Sequence, residues 1–336
     1  MVSRIRELAR VDTVKRDPEL NFHGLRFAKS SHVIEAQQFS REWLEDDFFP
    51  LAEEMENIFL GHGNEILKGK RMVTFFYEPS TRTRASFEFA MDLLGGRVIF
   101  STENAKDFSS AVKGEDIEDT MRVLSRYRPD VIILRSSKEG DARLAAEYSS
   151  VPIINGGDGE GQHPTQSLGD LLTIKRRIGR IDGIRIAMVG DLLRGRTVRS
   201  LAYLLGKFRN VKIYFVSPEP LKIRGDIKDY LKRHNVEFQE LDDLREVAAE
   251  VDAIYQTRSQ KERGTNPYHL ISDNGYFLVH RPILEIMKPS AIIMHPLPRN
   301  DEIAKEVDDD PRAVYLSEQI LNGLFSRMAL LQMLLS

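Results

Sequence analysis

Phe75-Phe76-Tyr77-Glu78-Pro79-Ser80-Thr81-Arg82-Thr83-Arg84 joins an apolar run, Met72–Tyr77, to a helical pattern. The run reads as a buried strand of a parallel sheet, because apolar residues there are continuous rather than alternating. A Glu-Pro turn follows, and Ser80, Thr81, Arg82 and Thr83 fall where a helix begins. That helix continues through Phe87, Ala90 and Leu94 to a Gly95-Gly96 stop signal. A helix start offers backbone N–H groups without intrahelical partners and the positive end of the helix dipole. Three hydroxyls and a guanidinium placed there make a phosphate site. The plainer alternative is a Ser/Thr N-cap beside a surface arginine. The Ser-Thr-Arg-Thr order directly after a buried strand and a proline turn favours the phosphate.

Around this junction, strand-like and helix-like runs alternate along the 336 residues. Met72–Tyr77, Val98–Phe100, Val131–Leu134, Val151–Ile154, Ile184–Val189, Val211–Val216, Ala253–Tyr255 and Ala291–Met294 read as strands. Amphipathic segments such as Glu115–Tyr127, Asp141–Ser149, Thr165–Ile178, Thr197–Phe208 and Leu241–Val251 read as crossover helices. The expected class is therefore α/β, with two similar domains, each a parallel sheet flanked by helices. The division falls at residues 1–163 and 164–314, joined by the helix beginning near Thr165. A last amphipathic helix, within 315–336, has no strand after it and is expected to pack back on the first domain.

Composition narrows the function classes. The formal net charge of -3 gives no global basic field for nucleic acid. Without cysteine, disulfides, zinc–thiolate sites and cysteine nucleophiles are excluded. The eight histidines lack metal-ligand spacing, so no metal and no cofactor are expected. No apolar stretch approaches the roughly 18 residues of a membrane span. Met1–Arg16 is polar and Arg-rich with no apolar core, and Glu7 and Asp12 count against a transit peptide. A cytoplasmic chain with neither membrane nor nucleic-acid partner is expected.

In open parallel sheets, ligands bind beyond the carboxyl ends of the strands. Arg135 follows one predicted strand. Asn155-Gly156-Gly157-Asp158-Gly159-Glu160-Gly161 follows another, leading into Gln162-His163-Pro164-Thr165-Gln166 at a helix start. Gly190-Asp191 and Arg194-Gly195-Arg196-Thr197 come after Ile184–Val189. Thr257-Arg258-Ser259-Gln260-Lys261-Glu262-Arg263 and His295-Pro296-Leu297-Pro298-Arg299 end the series. Each alone reads more readily as a solvated loop residue, a cap or a surface group. Their repetition at strand ends, donor-rich and mostly cationic, implies small ligands with several negative charges. Neither the Gly-x-Gly-x-x-Gly nor the P-loop spacing occurs, which disfavours a dinucleotide-dependent dehydrogenase and a P-loop NTPase.

Together these segments resemble the carbamoyltransferase family, and its aspartate branch in particular. The likeness runs from about Val33 to Leu335 and includes Ser109-Ser110-Ala111-Val112-Lys113-Gly114-Glu115. Gln260-Lys261-Glu262-Arg263 and His295-Pro296-Leu297-Pro298-Arg299 point to the aspartate branch; the ornithine branch would show a cysteine in the latter position. The resemblance implies transfer of the carbamoyl group of carbamoyl phosphate to L-aspartate, an early step of de novo pyrimidine biosynthesis. It also implies roles. Ser80, Thr81, Arg82 and Thr83 would hold the phosphate, and Arg135 and His163 would reach the carbonyl oxygen. Gln166 and the backbone carbonyls of Leu297 and Pro298 would fix the carbamoyl NH2. Arg196, Arg258 and Gln260 would bind aspartate. Ser109 and Lys113 would enter from the neighbouring subunit of a homotrimer, Lys113 serving both catalysis and aspartate binding. Residues 1–163 would then bind carbamoyl phosphate and 164–314 aspartate, with a regulatory chain left open.

The chain departs from the family pattern in an N-terminal extension of about 25 residues, at Gly264-Thr265-Asn266, and at Asn300. Carbamoyl transfer to ornithine or another amine, and a non-catalytic homologue, are the competing readings.

Overall fold

The computed structural model describes residues 32–258 and 275–336. It contains a four-stranded sheet in the order β2-β1-β3-β4 and a five-stranded sheet in the order β7-β6-β5-β8-β9. The first comprises β1 (Arg71–Phe76), β2 (Arg97–Thr102), β3 (Val131–Ser136) and β4 (Ile153–Asp158). The second comprises β5 (Arg185–Val189), β6 (Lys212–Val216), β7 (Glu237–Leu241), β8 (Ala253–Gln256) and β9 (Ile292–Met294). Every pairing between named strands is parallel. Continuous burial along β3, β4 and β8 explains why these strands read as unbroken apolar runs.

The strand orders locate the site. In the first sheet β1 has β2 on one side and β3 on the other, so the winding reverses between β1 and β3. In the second it reverses between β5 and β8. Such switch points open a crevice at the strands' carboxyl ends. Ser80–Thr83 follow β1 and Arg135 ends β3; Arg196 follows β5 and Arg258 follows β8.

Helices Phe49–Leu60, Thr81–Leu93, Pro164–Ile178 and Glu318–Leu335 share one apolar core with the facing sides of both sheets, including Phe76, Phe87, Leu168, Met188 and Phe325. The outer sides of the two sheets have separate cores. The last helix packs against Pro164–Ile178, Thr81–Leu93 and Phe49–Leu60. It is buried nearly all round from Asn322 onward, while Ile320 and Leu321 are exposed, so its pattern is not the one-sided stripe expected. At Gly169 and Gly323 it meets Pro164–Ile178 backbone to backbone. A Cβ on Gly169 would lie 2.8 Å from the Cα of Gly323.

Further sequence expectations are corrected. Leu241–Val251 is not a crossover helix: it holds the end of β7, a 3-10 turn at Leu244–Glu246 and further turns. Asp243 accepts the N–H of Arg245 with its side chain and so caps the start of this three-residue 3-10 turn, in place of an α-helix running through from Leu241. Strand β7 itself escaped notice, because Glu237-Phe238-Gln239-Glu240-Leu241 mixes charge into an edge strand with one solvated face. Strands β3 and β4 also run further than their apolar cores, taking in Arg135-Ser136 and Asn155–Asp158.

Gly169→Val should lower unfolding free energy by about 1–3 kcal/mol, the usual cost of overpacking a closed contact. Gly225→Ala is the control, since a Cβ there meets nothing within 4 Å and φ is not positive; it should change stability by less than about 0.5 kcal/mol. Denaturant unfolding of both variants measures the difference, and equal stabilities would contradict the backbone contact.

Candidate active site

The two switch points face each other across a cleft of about 670 Å³. Its described lining holds five arginines, Arg82, Arg135, Arg196, Arg258 and Arg327, against one carboxylate, Glu78. A chain of net charge -3 therefore concentrates positive charge in this one place.

The helix after β1 begins at Thr81 with Ser80 as N-cap, yet Ser80 makes no capping hydrogen bond. Its hydroxyl turns instead to Thr83, Oγ to Oγ1 3.0 Å. The first-turn N–H groups thus face the cleft without a side-chain acceptor, which is what an incoming oxyanion requires. Arg82 makes no side-chain hydrogen bond among the described residues. Partial burial and the neighbouring Arg258 guanidinium pull it below the usual arginine pKa. The Thr81 hydroxyl is engaged by Glu103 at 3.0 Å.

Glu78 joins the two halves. Its Oε1 accepts from Arg135 Nη2 of β3 at 2.7 Å and from Arg196 Nη2, in the helix after β5, at 2.8 Å. Arg196 Nη1 also donates to the Gly159 carbonyl at 3.0 Å, and Arg135 Nη1 to that of Gly156 at 3.0 Å. Gly157 allows this crowding. At φ +112° a side chain is strained, and its Cβ would stand 3.0 Å from both guanidiniums. Further out, Arg224 bridges Glu139 at 3.2 Å and Glu160 at 2.6 Å, again linking loops of the two sheets.

His163 lies buried between these groups, Nε2 3.4 Å from Thr83 Oγ1, with Nδ1 lacking a hydrogen-bond partner. Burial, followed by the charges of Arg135, Arg196 and Arg327, holds its pKa well below 6.5. The ring is neutral at pH 7 and offers one N–H donor.

Beneath the cleft, Gln166 Nε2 donates to Asp170 Oδ1 at 2.9 Å, which turns its own Oε1 away as an acceptor. Asp170 also receives Gln319 Nε2 at 2.7 Å and the Tyr255 hydroxyl at 2.7 Å. Burial lifts its pKa to about 6. Gln319 in turn accepts the His295 backbone N–H at 2.9 Å, next to Leu297 and Pro298 on the cleft wall.

The structure therefore brings together Ser80, Thr81, Arg82, Thr83, Arg135, His163, Gln166, Arg196, Arg258, Leu297 and Pro298. Gln260, with the rest of 259–274, lies outside the described residues, as do residues 1–31, which include the N-terminal extension. Lys113 and Ser109 do not line this cleft. Ser109 is the junction between two short helical turns, Ala105–Phe108 and Ser110–Lys113, and Lys113 ends the second. Sequence reasoning gave no role to Glu78, Asp170 or Arg327. Asp170 stands one helical turn after Gln166, and Arg327 interrupts an otherwise apolar helix, so both carried a signal. Among the described residues no cluster of three or more His, Asp or Glu is placed to hold a metal ion.

Residues 31–176 match the family model for aspartate/ornithine carbamoyltransferase, carbamoyl-P binding domain, and residues 182–334 match that for the Asp/Orn binding domain. The chain is 54% identical over 305 residues to aspartate carbamoyltransferase 1, chloroplastic, of Pisum sativum, covering 90% of this chain and 78% of that protein. It is 52% identical over 271 residues to the aspartate carbamoyltransferase catalytic subunit of Methanocaldococcus jannaschii, covering 81% and 87%. Among solved structures, the aspartate transcarbamoylase of Trypanosoma cruzi in complex with N-(phosphonacetyl)-L-aspartic acid superposes with a TM-score of 0.86 at 36% identity, covering 92% of this chain and 97% of that one. The catalytic subunit from M. jannaschii gives 0.81 at 48% identity, covering 90% and 97%.

Because burial and three arginines disfavour the imidazolium, His163 should stay neutral as pH falls through 6.5. Nitrogen chemical shifts of the imidazole, followed by NMR from pH 8 to 5.5, measure this. A midpoint at or above 6.5 would contradict the electrostatic picture of the cleft.

Proposed function

The chain belongs to the aspartate/ornithine carbamoyltransferase family, and we propose that it transfers the carbamoyl group of carbamoyl phosphate to the α-amine of L-aspartate, giving N-carbamoyl-L-aspartate and phosphate. The observation that carries this reading is the meeting of two switch points on one cleft. One supplies a helix start with Ser80, Thr81, Arg82 and Thr83; the other supplies Arg196 and Arg258.

The phosphate of carbamoyl phosphate sits on the first-turn N–H groups with Ser80, Thr81, Arg82 and Thr83. Arg135 and neutral His163 donate toward the carbonyl oxygen, where negative charge grows in the tetrahedral intermediate. Gln166 Oε1 and the carbonyls of Leu297 and Pro298 accept from the carbamoyl NH2. Arg196, Arg258 and Gln260 take the aspartate carboxylates. The amine nitrogen bonds to the carbonyl carbon, the carbon–oxygen bond to phosphate breaks, and the departing phosphate accepts the amine proton. Orientation of two mutually repelling anions and a prepared oxyanion environment provide the rate enhancement. Guanidiniums rather than carboxylates at the ends of β5 and β8 suit an acidic acceptor and disfavour ornithine, whose side chain is cationic. Domain limits at 1–163 with the returning helix, and 164–314, follow from the same assignment of ligands.

The reading includes a homotrimer in which Ser109 and Lys113 complete a neighbour's site. Lys113 is exposed and lies outside its own cleft. Phe108, 81% exposed, and Val112, 61% exposed, flank it, and the edge strand β2 exposes Ile99 and Phe100, a surface suited to another copy. A cytoplasmic location is also part of the reading. No described helix is long and apolar enough to cross a membrane, while the plant relatives are named chloroplastic. Fractionation of the full chain distinguishes the two compartments.

Steady-state assays with carbamoyl phosphate should show carbamoyl transfer to L-aspartate and none to L-ornithine. Arg82→Ala should lose about 10²-fold or more in turnover, the usual loss when one group aimed at transition-state charge is removed. The fold should persist, because Arg82 holds no other described side chain. Near wild-type turnover would remove the phosphate assignment.

Shared sites give a second test. Arg82→Ala and Lys113→Ala homotrimers should each be inactive, and after subunit exchange each mixed trimer should regain about one working site by symmetry. No recovery despite confirmed exchange would contradict sharing, and an active Lys113→Ala parent would make Lys113 an ordinary surface lysine.

A further inference from the structure

We infer that His295 and Glu302 are a positioning pair that holds the Leu297 peptide so that the carbonyls of Leu297 and Pro298 can read the carbamoyl NH2. The inference rests on the reaction proposed above and goes beyond it by naming two residues that do not touch the reacting atoms.

Leu297 has φ +56°, a left-handed conformation that a leucine adopts only when its surroundings impose it. His295 imposes it. Its Nδ1 accepts the Leu297 backbone N–H at 2.7 Å, closing a tight turn just after β9. An acceptor at Nδ1 requires the neutral ring with its proton on Nε2. That proton has one destination, Glu302 Oε1 at 2.8 Å. The same oxygen accepts the Asn300 N–H at 3.1 Å, so Glu302 fastens the chain on both sides of the Leu297–Pro298 step. Both side chains are buried, His295 1% and Glu302 2% exposed, and the His295 backbone N–H donates to Gln319 Oε1. Burial lowers the His295 pKa, in keeping with a neutral ring.

This geometry excludes the more obvious role. A histidine at a strand end beside a reaction cleft invites assignment as the base for the aspartate amine. Here one ring nitrogen is committed to a backbone N–H and the other to a buried carboxylate. Neither is available to a substrate proton. What the pair does control is the direction of two backbone acceptors on the cleft wall. Acceptors aimed at an NH2 discriminate strongly against a group that cannot donate, because a methyl group leaves them buried and unpaired. The expected consequence is selectivity for carbamoyl phosphate over acetyl phosphate, which has the same phosphate and carbonyl but CH3 in place of NH2.

The test compares His295→Leu, which fills the space without an acceptor, with His295→Asn, whose Oδ1 can stand near the Nδ1 position and accept the Leu297 N–H. In His295→Leu, KM for carbamoyl phosphate should rise about tenfold. The inhibition constant of acetyl phosphate should stay within about twofold, since its methyl never used the acceptors. His295→Asn should recover most of the selectivity. Equal weakening toward both phosphates, or unchanged selectivity in His295→Leu, would overturn the inference. Should His295→Leu fail to fold, imidazole nitrogen shifts of the wild-type protein decide: a proton on Nδ1, or an imidazolium at pH 7, would overturn it equally. A wild-type protein that does not prefer carbamoyl over acetyl phosphate would instead strike the proposed reaction itself, so the two failures are distinguishable.

Discussion

One carboxylate oxygen, Glu78 Oε1, receives a guanidinium from each of the two sheets. The cleft depends on this. Arginines that converge in a half-dry space repel one another, and desolvation adds several kcal/mol per ion to the cost. Arg135 and Arg196 are both buried, and Glu78 with the carbonyls of Gly156 and Gly159 supplies the acceptors that offset that cost. Gly157 makes the arrangement sterically possible. The same charge arrangement attracts anions. Phosphate and carboxylate groups entering the cleft offer new acceptors to guanidiniums that are already in place, so little reorganisation is left for the moment of reaction.

A second layer sits under the charged one and is polar without being exposed. Asp170 gathers Gln166, Gln319 and Tyr255; Gln319 passes the connection to the His295 backbone; His295 and Glu302 close around Leu297. Side-chain amides have no intrinsic preference for which end faces a ligand, and this layer gives them one. It does so against stability. The Asp170 pKa is raised to about 6 from an ordinary 3.8, so the fold binds this proton more tightly than the unfolded chain. Its contribution to stability is greatest at low pH and declines as pH rises from about 4 to about 6. At neutral pH the ionised carboxylate is retained for the direction it imposes on its neighbours.

The sequence made the parallel α/β layout and much of the cleft readable because both follow from local patterns. Buried strands are continuous apolar runs, and ligand groups cluster at their carboxyl ends, so Ser80–Thr83, Arg135, His163, Arg196 and Arg258 stood out together, by their repetition at successive strand ends. What failed did so for physical reasons. Strand β7 is an edge strand whose charged face erased the apolar signal, and Leu241–Val251 has helical composition but begins inside β7 and holds only a short 3-10 turn capped by Asp243. Glu78 looked like part of a turn, because its importance comes from two arginines 57 and 118 residues away. His295 looked like a candidate ligand group, and only the three-dimensional arrangement shows both of its nitrogens spoken for.

The central claim is that one cleft, fed by two sheets, is built to hold a phosphate and an aspartate at the same time. Calorimetric titration with N-(phosphonacetyl)-L-aspartate, in parallel with phosphonoacetate and with L-aspartate, tests it most directly. The account predicts one site per chain and binding about a thousandfold tighter than either fragment, because both halves of the cleft are engaged at once. Binding no tighter than phosphonoacetate alone would contradict it, since the guanidiniums of the second sheet would then contribute nothing to the same ligand.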